Sequence, residues 1–570
     1  MDRTARFLIL LACIPFFLNL GEPSLFNPDE GRFAEETREM FVTGDWLVPR
    51  LHGEPHWAKP PLVNWLGAIA MKGLGVTAEA VRLPSALAAC VMVLSLATFA
   101  WQLRGPRAAT LTAWLTTSTL HIAVLGRAVT TDMLHAAFTV AALVTLYSLQ
   151  TNKRSGWRLA VLAGAFLGIA FLAKGPVGLG VTLVTLVGFG IISRTWRVIH
   201  PLHLLTMLAV ALAIGLPWYL AAIAKHPALL DHWLGHEVRD RYLSSALKRT
   251  KPWWFLSSTL VGGLLPWTPV AVLGALRAWQ QRRFVENRWL LAWAVFGFGL
   301  FQFSKSQLWT YLLPITPAFC VLAALELDRW ADADLTTSRR VALRCMILAS
   351  AVLLVGAEAY LVLQLNADPL TVVVGAAVVV MMTLAWGWTR RHAKPPPTCQ
   401  VLGSVMVAAA ALLVSMQFCL VRFARVENAL GRQAGNSWIG EAVKRLEAHG
   451  VPIGTHVAPT TLPPLPKGVP RIVMWQHETN SLPFYAFGER REVLPIFDVN
   501  SWYELEADLA VDRPRTTEDL KAALLQEEPL YIIVLAHEVA ALADHLQCDL
   551  EVIERRGDRK SPMIVRPVRK

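Results

Sequence analysis

Hydrophobic positions run along the chain in stretches of about twenty residues, broken by short polar turns, from Leu83 to about Leu420. Each stretch has the roughly 20-residue length that a helix needs to cross a bilayer. The pattern predicts spans with cores near 6–20, 82–103, 108–126, 132–151, 157–173, 177–193, 201–221, 256–278, 288–304, 307–326, 341–363, 369–388 and 399–421. The first span follows a short polar N-terminus and looks like a secretory leader. No small-x-small cleavage signal follows Leu20, so it reads as a retained span.

Basic residues fix the expected orientation. They cluster at Arg104/Arg107, Lys153/Arg154/Arg158, Arg194/Arg197, Arg277/Arg282/Arg283, Arg339/Arg340 and Arg390/Arg391/Lys394. Cytoplasmic loops carry such clusters. Alternating spans satisfy all of them with the N-terminus inside and the C-terminus outside. Residues 61–75 are apolar but short for a crossing, and counting them as a span would turn Arg104 outward. They are therefore expected to lie on the outer surface as an interfacial helix. Two large outer segments result, 21–81 and 222–255.

Beyond residue 421 the pattern changes. Ile439–Ala448 has amphipathic helical spacing, Tyr531–Leu535 is a short buried-strand run, and Asp549–Arg555 and Met563–Val565 read as further strands. Thr516-x-x-Asp519 marks a helix start. The fold class expected is an α-helical polytopic membrane protein of about thirteen transmembrane helices, residues 1–421, followed by an α/β extracytoplasmic domain, residues 422–570.

Composition agrees. The chain is 54% hydrophobic and only 17% charged, against about 25% charged in soluble proteins. Its net charge of +12 comes largely from the basic loops, and no basic groove with interleaved aromatics is visible, so nucleic acid is excluded as a partner. Of the seven cysteines, only Cys548 lies outside an apolar segment, which offers neither a disulfide framework nor a metal spacing.

The chemistry-bearing residues collect in the predicted outer segments. In Asn27-Pro28-Asp29-Glu30, Asn27 caps a helix and Glu30 closes a capping box, which leaves Asp29 unneeded for the cap. Lys59, before Pro60-Pro61, suits either a headgroup anchor or a substrate contact. Asp132 begins the fourth span, where an aspartate also serves as a cap. Lys174-Gly175-Pro176 ends the fifth span as a cation, a C′ glycine and a proline stop. The later loop holds His232, His236, Glu237 and Arg241, and Lys305 and Tyr311 stand at the outer end of the tenth span. Ionisable groups so near hydrocarbon are functional candidates by default. Two carboxylates and several cations at one membrane face suit a polyprenyl-phosphate sugar donor. The cations hold the phosphate and a carboxylate orients or deprotonates the acceptor. Such a donor carries its own activation, and the chain has no nucleotide-binding loop.

At these residues the chain closely resembles the bacterial aminoarabinose transferase family, membrane glycosyltransferases of the GT-C fold related to protein O-mannosyltransferases. The resemblance rests on Asp29-Glu30-Gly31-Arg32-Phe33, Gly44-Asp45-Trp46-x-Val48-Pro49, Lys59-Pro60-Pro61, Val81-Arg82-Leu83-Pro84-Ser85-Ala86, Thr131-Asp132, Lys174-Gly175, Leu216-Pro217-Trp218-Tyr219, Leu265-Pro266-Trp267-Thr268 and Tyr311-Leu312-Leu313-Pro314, in family order. It implies transfer of an amino sugar from undecaprenyl phosphate to lipid A in the outer leaflet of the bacterial inner membrane. It implies that Asp29 and Asp132 are the acidic positions near the reacting sugar. Lys59, Arg241, Lys174, Tyr311 and Arg32 are implied as contacts to the donor. The family carries a glutamate before the Lys-Pro-Pro lysine, in a metal-linked site with a histidine that His236 matches. Here that glutamate is Ala58, so no metal is expected with certainty. A protein acceptor, as for the O-mannosyltransferases, is the alternative reading. A transporter is disfavoured by the absence of an internal repeat and by charges gathered at one face.

Overall fold

In the computed structural model the described residues are 3–233 with short gaps at 24, 27–28, 52, 152–155 and 197, then 251–332 without 305, scattered helical positions to 442, and 471–475, 496–497, 530–535, 539–546, 548–555 and 562–568. Arg241, His236 and Lys305 lie outside them. So do the spans expected at 369–388 and 399–421, apart from single helical positions, and the helices expected around Ile439–Ala448 and Thr516. The chain divides into two compact units, Met1–Leu18 with Ser85–Cys419, and Asn19–Pro84 with Leu420–Lys570.

The first unit is helical. It contains α1 (Arg3–Leu11), and α4 (Ala78–Arg104) enters it at Ser85. There follow α5 (Pro106–Thr117), α6 (Leu120–Leu125), α7 (Thr131–Thr151), α8 (Gly156–Lys174), α9 (Val177–Ser193), α10 (Pro201–Lys225) and α11 (Leu229–His232). After residue 250 come α12 (Phe255–Gly263), α13 (Thr268–Gln280), α14 (Val285–Gln302), a 3-10 turn at Trp309–Leu312, and α15 (Thr316–Ala331). Among the described residues four helices are long and apolar enough to cross a membrane, namely α4, α7, α8 and α10. The bent pair α12 and α13 makes five if it is one span.

Packing around α8 explains its sequence. It lies between α7 and α10. Gly164 and Gly168, one turn apart, face α10 so closely that a Cβ at Gly164 would come within 2.5 Å of the Met207 carbonyl oxygen. A Cβ at Gly168 would come within 2.9 Å of the Ala211 carbonyl oxygen. Between helices in lipid, where burial of apolar surface gives no drive, such close backbone approach is the main source of attraction.

Four predicted spans are corrected. The stretch expected as one helix over 108–126 is broken between α5 and α6. Thr116, Thr117, Ser118 and Thr119 each donate a hydroxyl to the carbonyl four residues back, competing with the helix ladder. The Leu120 N–H then bonds to Leu265 O at 3.1 Å, across the chain. The stretch 256–278 is two helices bent by 108°. The stretch 307–326 opens as the 3-10 turn and becomes regular only at Thr316, because Pro314 and Pro317 donate no hydrogen bond. The first span is helical only to Leu11, after which Pro15 sits in a 3-10 turn at Ile14–Phe16 and its carbonyl accepts from Arg127 Nη1 at 2.7 Å. The remaining described helices lie within a few residues of their expected bounds.

In the second unit, α2 (Asp29–Thr43) packs on α3 (Leu62–Leu74), with a two-stranded ladder between them, β1 (Arg50–Leu51) against β2 (Glu54–Pro55). The residues 61–75 do form a helix. The helix α2 buries its acids: Glu35, Glu36 and Glu39 are all inside. Glu35 is held by Arg38 in a two-pronged pair at 2.8 Å, and both Glu39 oxygens accept the Gly53 N–H, at 2.9 and 3.2 Å. Glu36 faces His56 Nδ1 at 2.7 Å and accepts from Asn64 Nδ2 at 3.2 Å.

The C-terminal residues of this unit form a five-stranded sheet of β3 (Arg471–Trp475), β4 (Ile496–Phe497), β5 (Leu530–Leu535), β6 (Asp549–Arg555) and β7 (Pro562–Val568), in the order β4-β3-β5-β7-β6. β3 is parallel to β4 and β5, while β7 runs antiparallel to β5 and β6. Ile532 and Val534 of β5 are buried, the alternation of a strand with one covered face, and β5 and β6 stand where the apolar runs placed them. A helix, α16 (Val539–Leu546), links β5 to β6.

Candidate active site

The helical unit brings three of the expected residues into one recess. Asp132 lies in the first turn of α7, Lys174 is the last residue of α8, and Tyr311 is in the 3-10 turn before α15. All three line one recess, whose apolar walls are Val177, Phe301 and Pro314.

Local sequence places each group. Thr130, not Asp132, caps α7: its hydroxyl accepts the Asp132 N–H at 3.0 Å and donates to Asp132 Oδ2 at 3.0 Å. The carboxylate is thus free of the capping duty expected of it, and its Oδ1 accepts from Lys174 Nζ. Lys174 reaches this point because α8 stops there. Gly175 has φ +80°, and its N–H bonds back to Phe171 O at 2.7 Å. The side chains of Lys174 and Asp132 are 8% and 15% exposed, so this is an ion pair at the edge of burial, stronger than a surface pair. The Tyr311 ring lies 5.1 Å from the Lys174 ammonium, a cation–π distance, and 5.8 Å from the Phe301 ring. The Tyr311 hydroxyl is buried without a hydrogen-bond partner.

Sequence reading did not single out His135, Ser304 or Thr310, the other polar groups in the recess. His135, one turn after Asp132 on the same face of α7, also lines it, is 2% exposed, and has an Nε2 without a partner. The available signal was its i, i+3 spacing from Asp132.

In the second unit Asp29 and Arg32 come together at the start of α2. They pair at 3.0 Å, with the Asp29 side chain 77% exposed. An exposed pair of this kind holds weakly, about 0–1 kcal/mol, so the carboxylate stays available to other partners. The Arg32 guanidinium also lies 5.0 Å from the Phe33 ring. The capping box expected between Glu30 and Asn27 falls partly outside the described residues. Glu30 accepts the Phe26 N–H at 3.0 Å and forms a buried pair with Arg82. Asn27 lies outside the described residues. Lys59 is half-buried, and its Nζ donates to the Ala58 carbonyl at 2.8 Å.

A family model described as dolichyl-phosphate-mannose-protein mannosyltransferase matches residues 58–220. The chain is 32% identical over 336 residues to an undecaprenyl phosphate-alpha-4-amino-4-deoxy-L-arabinose arabinosyl transferase of Aeromonas salmonicida, covering 58% of this chain and 61% of that protein. It thus spans about three fifths of the length of that relative. With the same-named protein of Pseudomonas aeruginosa it shares 30% identity over 379 residues, 64% of this chain and 67% of the relative. Among solved structures, ArnT from Cupriavidus metallidurans in the apo state superposes with a TM-score of 0.77 at 22% identity, covering 98% of this chain and 97% of that one. The same protein bound to undecaprenyl phosphate matches equally, at 23% identity. The shared architecture is the GT-C membrane fold. By sequence and by fold, the chain belongs to the undecaprenyl phosphate-aminoarabinose arabinosyl transferase family.

Proposed function

We propose that this protein is a glycosyltransferase that moves a sugar from polyprenyl phosphate, most simply undecaprenyl phosphate, to an extracytoplasmic acceptor, lipid A or another cell-envelope glycolipid. The observation that carries this is the buried Lys174–Asp132 pair beside the unpartnered Tyr311 hydroxyl, all lining one recess. Membership of the family and the relative solved with undecaprenyl phosphate support it.

The chemistry follows from the donor. An acceptor oxygen attacks the anomeric carbon, the bond from that carbon to the phosphate oxygen breaks, and polyprenyl phosphate leaves as a monoester. Negative charge grows on the leaving oxygens, so cations stabilise the transition state more than the ground state. Lys174 and the Tyr311 hydroxyl are placed here as such donors, with Asp132 holding the ammonium in position. On the resemblance, Asp29 and Asp132 are the acidic positions near the reacting sugar, a carboxylate orients or deprotonates the acceptor, and Lys59, Arg241 and Arg32 contact the donor. A divalent ion is not part of this reading. Where the resemblance implies a glutamate, Ala58 offers a methyl group, and its carbonyl already accepts from Lys59. The reading includes about thirteen spans, a cytoplasmic N-terminus and a periplasmic C-terminal domain from about residue 422.

The mannosyltransferase match over 58–220 favours one second reading, a protein hydroxyl as acceptor. Mass spectrometry of envelope lipids and proteins from a deletion strain separates the two. Loss of a sugar from lipid A supports the first reading, and loss from protein with lipid A unchanged supports the second. For the site itself, purified Asp29→Asn should lose transfer at normal protein level and membrane insertion. Lys59→Ala and Arg241→Ala should each lose turnover by about 2–4 kcal/mol, as for a missing oxyanion donor. If thermal stability falls while turnover per folded molecule holds, these cations are headgroup anchors and the donor assignment is wrong.

A further inference from the structure

We infer that His135 is a specificity-determining residue that accepts a hydrogen bond from a hydroxyl or amino group of the transferred sugar. The inference rests on the reading of the Asp132–Lys174–Tyr311 recess as the donor site, and it concerns a residue that none of the motifs above includes.

Three observations carry it. First, His135 lines the recess and is 2% exposed, so its ring is desolvated. Second, its ring is held. Nδ1 faces the Ala170 carbonyl oxygen at 3.5 Å, and Cε1 lies 3.2 Å from where a Cβ on Gly178 would stand. A carbonyl oxygen only accepts, so this contact is a hydrogen bond only when Nδ1 carries the proton. The neutral ring then presents a lone pair at Nε2. Third, that Nε2 has no partner. A buried polar atom left unpaired costs about 1–3 kcal/mol, which a bound donor group recovers.

The chemistry of the missing partner follows. An ionised phosphate offers oxygen acceptors and no proton, so it does not pair with an Nε2 lone pair. Lys174 and Tyr311 in the same recess supply protons and suit the phosphate. His135 is the complementary group: it asks for a proton, and on a polyprenyl-phosphate sugar the protons belong to sugar hydroxyl or amino substituents. The recess therefore distinguishes the sugar end of the donor from its phosphate, and His135 reads the sugar.

The test uses the full-length protein in detergent or proteoliposomes, with polyprenyl-phosphate sugar and with bare polyprenyl phosphate as probes. His135→Leu removes the acceptor, while His135→Gln keeps one near the Nε2 position. His135→Leu should raise KM for the sugar-bearing donor about tenfold, the value of one ordinary hydrogen bond. Its affinity for bare polyprenyl phosphate should stay within about twofold, and His135→Gln should recover most of the loss. An amino-sugar donor run beside its hydroxyl counterpart identifies the group. A loss confined to the amino sugar assigns the amine, and a loss in both assigns a hydroxyl. Equal loss for bare polyprenyl phosphate makes His135 a structural residue and overturns the inference, as does an unchanged KM or no rescue by glutamine. A wild-type protein that binds neither probe sinks the donor reading itself, and that is visible before any substitution is made.

Discussion

Arg82 offers a sharp test of how the second unit is held. Its side chain is 2% exposed and makes four hydrogen bonds to described residues. Nε and Nη2 donate to Glu30 at 3.0 and 2.7 Å, and Nη1 donates to the carbonyls of Leu20 and Pro23 at 3.0 and 2.6 Å. One guanidinium thus ties the segment before α2 to the start of α4. Arg82→Met keeps most of the volume and removes every donor. It leaves the Glu30 carboxylate, 4% exposed, without its counter-charge. Breaking a buried pair from one side costs about 3–5 kcal/mol. At about 2 °C per kcal/mol for a large domain, the midpoint of thermal aggregation should fall by about 6 °C or more. Two controls bound the result. Glu30→Gln on top of Arg82→Met removes the stranded charge, so the double variant should recover part of the loss, with a coupling energy of about 1–3 kcal/mol. Arg566→Ala breaks an exposed pair with Glu551, the two side chains being 43% and 48% exposed, and should cost about 0–1 kcal/mol. The assay is thermal aggregation of the purified variants in one detergent. If Arg82→Met shifts the midpoint no further than Arg566→Ala, the pair does not hold this segment and the reasoning fails.

Two more predictions follow from buried features. Burial, and then the charge of Glu35, push the Glu39 carboxyl up to about 8 from an ordinary 4.5. The folded protein therefore binds a proton there that the unfolded chain releases, so stability falls as pH rises from about 4.5 to about 8. Glu39→Gln should flatten that decline and raise the melting midpoint at pH 8 relative to wild type, whereas parallel pH profiles would contradict the assignment. Gly164→Val places a Cβ where the Met207 carbonyl oxygen stands, 2.5 Å away, and backbone there gives way only by moving α10. It should destabilise by about 1–3 kcal/mol, read as the same aggregation midpoint, and an unchanged midpoint would show that the α8–α10 contact is loose.

Much of the helical unit was legible because a lipid-facing span declares itself by length and apolarity. Helices α7 to α10 start and stop where hydropathy, Lys174-Gly175-Pro176 and the basic loops put them. The breaks were not legible. A run of hydroxyl residues at 116–119 is apolar enough to average as span, and the reason it breaks is a bond to Leu265, far away in sequence. The site divides in the same way. Asp132, Lys174 and Tyr311 each stood out as ionisable or polar groups at span ends, but a pair separated by 42 residues depends on how α7 packs on α8. The acids of α2 were not legible either. Glu35, Glu36 and Glu39 carry no sign of burial in the sequence, and only Arg38 one turn on and the tertiary partners His56, Asn64 and the Gly53 amide show that their face is inside. His135 was hidden because its i, i+3 spacing from Asp132 means little in an apolar run until the neighbours of both residues are known.

The most direct test of sugar transfer is a reconstituted reaction. The purified protein in proteoliposomes receives a polyprenyl-phosphate sugar labelled in the sugar, with lipid A as acceptor, and released polyprenyl phosphate is quantified beside labelled lipid A. The account predicts that the two products appear in equal amounts, and that Lys174→Ala suppresses both together while the protein stays folded. Donor that remains intact in the presence of wild-type protein and acceptor, or transfer that continues unchanged in folded Lys174→Ala, would contradict it.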